Sequence, residues 1–111
     1  MTGTQVHNRA SRILLDTSAT RWDKTQVLDW INDGLDEIHR VRPDAFYTGD
    51  KVTVVDTPPK LSQLGDSLTC RSSFDPAVVD YLVYRCLSVD SEDVANMARA
   101  DKHLQLFLAR L

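Results

Sequence analysis

The sequence predicts a mainly α protein: a four-helix bundle with an inserted β-hairpin or extended arm, in a single domain over residues 1–111. Three observations predict it. Four windows place apolar residues at 3.6-residue spacing. Cap signals stand at several of their starts. Between the second and third windows the composition changes to strand formers, prolines and turn residues.

The first helix is expected over about 3–16. Thr2 and Gln5 have capping-box spacing, and Val6, Ala10, Ile13 and Leu14 form a narrow stripe. The polar stretch to Trp22 follows. Asp23 is the expected N-cap of a second helix over about 24–42, with Gln26 again at capping-box spacing and Pro43 as the stop. Val27, Leu28, Ile31, Leu35, Ile38 and Val41 share one face. Gly34 lies within that arc. A mid-helix glycine costs about 1 kcal/mol relative to alanine, so close approach of another helix is expected there. Asp29, Asp33, Asp36 and Glu37 face the opposite side, as an acidic solvated surface.

Residues 43–75 read as the arm. Phe46 to Asp56 favours strands, Gly49-Asp50 offers a turn, and Pro58-Pro59 ends the extended run. Leu61, Leu64 and Leu68 need cover, either from the helices or from a neighbouring subunit. Packing back on the helices is the simpler expectation. Asp75 as cap and Pro76 at the first position start a third helix over about 76–89, apolar around most of its circumference. Such a helix is central to its domain or shared with a partner. The fourth helix is expected over about 92–110. Val94, Met97, Leu104, Leu108 and Leu111 are its stripe, with Ala100 and Phe107 at the edge, Leu106 on the polar side, and Asp101 in the apolar arc needing Arg9 or Arg12.

Composition narrows the function. The 111 residues are 42% hydrophobic and 26% charged, an ordinary globular balance, with a formal net charge of −3. No segment is net basic, which argues against sequence-specific DNA binding. No apolar run approaches the about 20 residues that cross a bilayer, and the first residues lack a secretory apolar core, so synthesis in a cytoplasm is expected. Cys70 and Cys86 form no metal or disulfide motif, and reduced thiols are expected. His7, His39 and His103 fall on three helices without ligand spacing and read as surface or margin residues. No catalytic, cofactor-binding or metal-ligating set is expected, and no enzymatic activity.

The most specific stretch runs from Leu14-Leu15-Asp16 through Arg21-Trp22-Asp23, Val27 to Gly34, Glu37-Ile38 and Arg42-Pro43-Asp44-Ala45. With Pro58-Pro59-Lys60-Leu61, Val79 to Arg85, Ala95-Asn96, Ala98-Arg99-Ala100 and His103, it resembles the head–tail adaptor (connector) proteins of short-tailed bacteriophages, similar in role to the tail tubular protein A group. The resemblance implies a structural virion protein at the head–tail junction. Such subunits form a ring, usually twelve-fold, between the portal protein and the tail nozzle. They seal the head and pass double-stranded DNA without sequence-specific binding. A membrane, a cofactor and a turnover site have no place in that role. The chain ends in helical pattern without the C-terminal extension of several relatives, so portal docking would use the arm or a helix face.

Ring subunits need two different contact patches. The residues expected to supply subunit and partner contacts are Trp22, Trp30, Phe46, Tyr47, Leu61, Leu64, Leu68, Tyr81, Tyr84 and Leu106. The alternative is a small helical protein-binding module, regulator-like or antitoxin-like, with no virion role. A DNA-binding bundle using Arg9, Arg12, Arg40 and Arg42 is the third reading.

Overall fold

A computed structural model describes residues 1–14, 22–46, 60–89 and 94–111, with Val94 and Ala95 described by their backbone alone. The described part is mainly helical: α1 (Gly3–Ile13), α2 (Lys24–Val41), α3 (Asp75–Val89) and α4 (Val94–Ala109), with short 3-10 turns at Pro43–Ala45 and Ser72–Phe74.

The capping box at α1 forms as its spacing requires. Thr2 Oγ1 accepts from the Gln5 N–H at 3.2 Å, and Gln5 Oε1 accepts from the Thr2 N–H at 2.9 Å. Val6 and Ala10 are buried, but so are His7 and Ser11, while Ile13 is 41% exposed. The helix is therefore turned away from the expected stripe, and His7 is a core residue, not a margin one. The turning has a cause at the N-terminus. The arm crosses so close that a Cβ on Gly3 would stand 2.9 Å from the Leu64 carbonyl oxygen. That approach fixes which side of α1 faces inward.

The α2 cap rests on Asp23, whose carboxylate accepts from the Thr25 N–H at 3.0 Å. Val27, Ile31, Leu35 and Ile38 are fully buried. Val41, expected on the same face, is 42% exposed. The chain breaks at Pro43 and folds Ala45 and Phe46 under the end of α2, so these two fill the core there instead.

Gly34 lies against Tyr81 of α3. A Cβ at Gly34 would meet Tyr81 Cδ1 at 2.9 Å and Cγ at 3.2 Å. These atoms are at the root of a buried ring and cannot swing aside as a flexible tip would. The close approach expected from the sequence is thus the reason for the glycine. Gly34→Val is expected to cost about 1–3 kcal/mol through overpacking, read as a lower urea midpoint with an unchanged m-value.

The arm is described in part. The hairpin expected after Phe46 lies in residues outside the described ones. In the described part, 60–74, no strand ladder forms; one isolated antiparallel bridge joins Thr2 to Ser67. The reason is the partner on offer. The first turn of a helix has amide donors with no partner inside the helix. Arm carbonyls take them: Gly3 N–H donates to Asp66 O at 3.1 Å and Thr4 N–H to Leu64 O at 2.8 Å. Asn32 of α2 clamps the other side, accepting from the Leu61 N–H at 2.8 Å and donating to its carbonyl at 3.1 Å. The Asp66 carboxylate ties the turn by accepting from the Ser62 and Gln63 amides, which hold it below the usual carboxylate range.

At α3 the expected cap is also shifted. Asp75 already has helical dihedrals, because the Ser72–Phe74 turn winds directly into the helix. Its carboxylate is buried beside Cys70 Sγ at 3.9 Å and the amino terminus of Met1 at 3.5 Å. From there α3 runs through the middle, packing against α1, α2 and α4. Ala77, Val78, Leu82 and Val83 are wholly buried and Cys86 and Leu87 nearly so, while the terminal Val89, expected inside, is 58% exposed. This confirms the central position its all-round apolarity predicted.

Helix α4 is rolled relative to its expected stripe. Ala100 and Phe107 are buried, Leu104 and Leu111 are partly buried against the core, and Met97 and Leu108 are 53% and 51% exposed. Asp101 is exposed, so it needs no partner from Arg9 or Arg12. Two attachments to α3 set the roll. Phe107 lies with its ring 5.1 Å from that of Tyr81, and Asp80 draws His103 and Arg110 to the same side.

Candidate interaction surfaces

The residues expected to make partner contacts fall mostly inside the subunit. Trp22, Trp30, Phe46, Leu61 and Tyr81 are buried in its core. Leu64, Leu68 and Tyr84 are partly buried and pack against that core. Tyr47 lies outside the described residues. Leu106, at 36%, is the exposed one among those described. The three leucines of the arm therefore follow the simpler expectation, packing back on the helices.

The apolar surface left uncovered lies elsewhere. Met97 and Leu108, with the half-buried Leu104 between them, share one flank of α4. Leu106 projects on the other side of the same helix, and Val89 stands at the end of α3. A shallow pocket of about 210 Å³, lined by Ser88, Met97, Ala100 and Asp101, opens where α3 and α4 meet. Sequence reasoning placed Met97 and Leu108 in the core because the 3.6-residue pattern fits them as well as it fits Ala100 and Phe107.

The charged groups are largely committed. Arg40 pairs with Glu37 at 2.8 Å. Arg42 binds Asp44 through two hydrogen bonds of 2.9 and 2.8 Å and the Leu111 carbonyl at 2.7 Å. That guanidinium holds the Asp44 carboxyl below its usual range. Lys60 meets Asp36 at 3.3 Å, and Arg85 meets Asp33 at 3.3 Å. The acidic face of α2 is thus partly neutralised, and Arg40 and Arg42 have acidic partners that compete with any phosphate. The DNA-binding reading loses two of its four arginines on this ground.

One buried polar centre had no signal in the helical pattern except an acid in an otherwise apolar helix. Asp80 is 6% exposed. It accepts from Arg110 Nε at 2.6 Å and lies 3.3 Å from His103 Nδ1. A buried carboxylate needs such partners to offset its lost hydration. The contact joins the end of α4 to the middle of α3.

Both cysteines are free thiols and buried. Burial first, and the Asp75 carboxylate second, push the Cys70 thiol up to about 12. A thiol this hard to ionise is a poor nucleophile. The same shift sets a pH dependence. An unfolded thiol ionises near pH 8.5, whereas the folded one keeps its proton. The contribution is therefore complete below about pH 8.5 and disappears as the pH rises toward 12. Stability is expected to decline over this alkaline window, and less steeply in Cys70→Ala, by thermal melts across a pH series. Tyr81, raised mainly by burial, acts with the same sign.

Among the described residues, no group of three or more His, Cys, Asp or Glu side chains could hold a metal ion, and no helix is long and apolar enough to cross a membrane. Compared with protein-family models, curated proteins and solved structures, the chain matches none.

Proposed function

We propose that this chain is a structural subunit that works by contact: a ring adaptor between the portal and the tail nozzle of a short-tailed bacteriophage, sealing the head and leaving a channel for DNA. The motif resemblance over most of the chain supplies the reading. The structural observation that supports it is the pair of uncovered apolar sites on opposite sides of α4: Met97 and Leu108 on one flank, Leu106 on the other. A closed ring of identical subunits uses two different patches per subunit, one for each neighbour. The net charge of −3 suits a channel wall that does not hold a polyanion.

The test mixes the purified chain with portal and tail-nozzle proteins and looks for stacked rings by electron microscopy. Met97→Asp with Leu108→Asp is expected to abolish association while leaving the melting temperature nearly unchanged, because both side chains are half in water already. A stable complex with a non-virion protein, and none with portal or tail components, would favour the second reading: a small helical protein-binding module using the same flank.

A further inference from the structure

A second surface feature goes beyond that reading and does not rest on it. An open pocket of about 500 Å³ lies where α1, α3 and α4 converge. Three arginines line it: Arg9 and Arg12 from α1 and Arg110 from the end of α4. The one acid in the lining, Asp80, is already engaged by Arg110 and His103. The pocket therefore carries excess positive charge. Pro76, Val79 and Ile13 supply its apolar lining, and Ile13 is 41% exposed.

We propose that this pocket binds a carboxylate-bearing side chain of an acidic protein segment, with an apolar neighbour of that side chain resting on Pro76, Val79 and Ile13. Arginine suits the role because its planar fork can take a carboxylate through two parallel hydrogen bonds. Nucleic acid fits less well. A duplex presents a long track of phosphates, whereas Arg9, Arg12 and Arg110 line one hollow.

The test is a titration of the isotope-labelled full chain, followed by NMR through the arginine Nε–H signals and the Ile13 methyls. The probes are an acetylated peptide of alternating leucine and glutamate, a short DNA duplex, and inorganic phosphate. The peptide is expected to give saturable shifts centred on Arg9, Arg12, Arg110 and Ile13. Its affinity is expected to fall about tenfold or more in Arg9→Gln with Arg12→Gln. Both replaced side chains are exposed, so the rest of the spectrum stays native and reports folding. Four results would overturn the assignment. They are no saturable shift with the peptide, equal affinity in the double variant, tighter arginine-dependent binding of the duplex, or phosphate alone matching the peptide.

Discussion

Phe107→Ala is expected to lower the unfolding free energy by about 3–5 kcal/mol, the usual cost of truncating a buried aromatic ring. Only 2% of Phe107 is exposed, and its ring lies 5.1 Å from that of Tyr81 at a tilted 58°. The loss exceeds simple hydrophobic transfer because α4 packs on α3 and gains its core contact through few large side chains. Ala100 is small, and Leu104 and Leu111 are only partly buried. Without the ring, little apolar area remains to hold the helix down. For a chain with total stability of about 5–15 kcal/mol, this is a large fraction. A urea titration monitored by circular dichroism checks it. A lower m-value as well as a lower midpoint would show that α4 has come away in the folded state. Leu108→Ala, half-exposed one residue further on, serves as the control and is expected to change little.

That pair of neighbours also shows what a sequence can say about this fold. The helices were legible because caps, periodicity and breakers agree. Thr2 with Gln5, Asp23, Pro43 and Pro76 bracket runs whose apolar spacing fits one helix period. The centrality of α3 was legible from its all-round apolarity. The glycine at position 34 foretold a close approach before its partner, Tyr81, was known. The roll of α1 and α4 was not legible. On α1 the buried side takes His7 and Ser11 in place of Ile13, and on α4 it takes Ala100 and Phe107 in place of Met97 and Leu108; neighbours decide between the faces, the arm crossing at Gly3 in one case, Phe107 and Asp80 in the other. Local periodicity contains no term for either contact.

The course of the described arm was not legible for a related reason. Between Leu61, Leu64 and Leu68 its residues are polar and turn-forming, and a ladder was one destination open to their backbone groups. The unpaired amides of the first turn of α1 were another, and they are close by. The surface sites suffered most. Large aromatics are enriched both in cores and at interfaces, so composition alone could not separate Trp22, Trp30 and Phe46 from Leu106. Burial separates them at once. The arginine-lined pocket gave no sequence signal, because Arg9, Arg12 and Arg110 are brought together only by the packing of α1 and α4 on α3.

The second large effect is expected at Trp30. The side chain is 5% exposed, and the Arg85 guanidinium lies 5.7 Å from its ring centroid. Arg85 in turn donates to the Tyr81 hydroxyl at 2.8 Å and pairs with Asp33 at 3.3 Å. The indole thus serves twice, filling the space between α2 and α3 and providing the flat surface against which a cation is held. Trp30→Ala removes both and is expected to cost about 3–5 kcal/mol. Trp30→Phe keeps much of the volume and a ring face, so its cost is expected to be smaller. A double-mutant cycle with Arg85→Ala separates the two contributions. The coupling is expected near the about 0.5–1 kcal/mol typical of a partly exposed cation over a ring, with the remainder belonging to the cavity. An additive cycle would mean that the guanidinium is held by Tyr81 and Asp33 alone. A Trp30→Ala cost below 1 kcal/mol would mean that the surrounding helices close over the space, which the contact between Gly34 and the Tyr81 ring leaves little freedom to do.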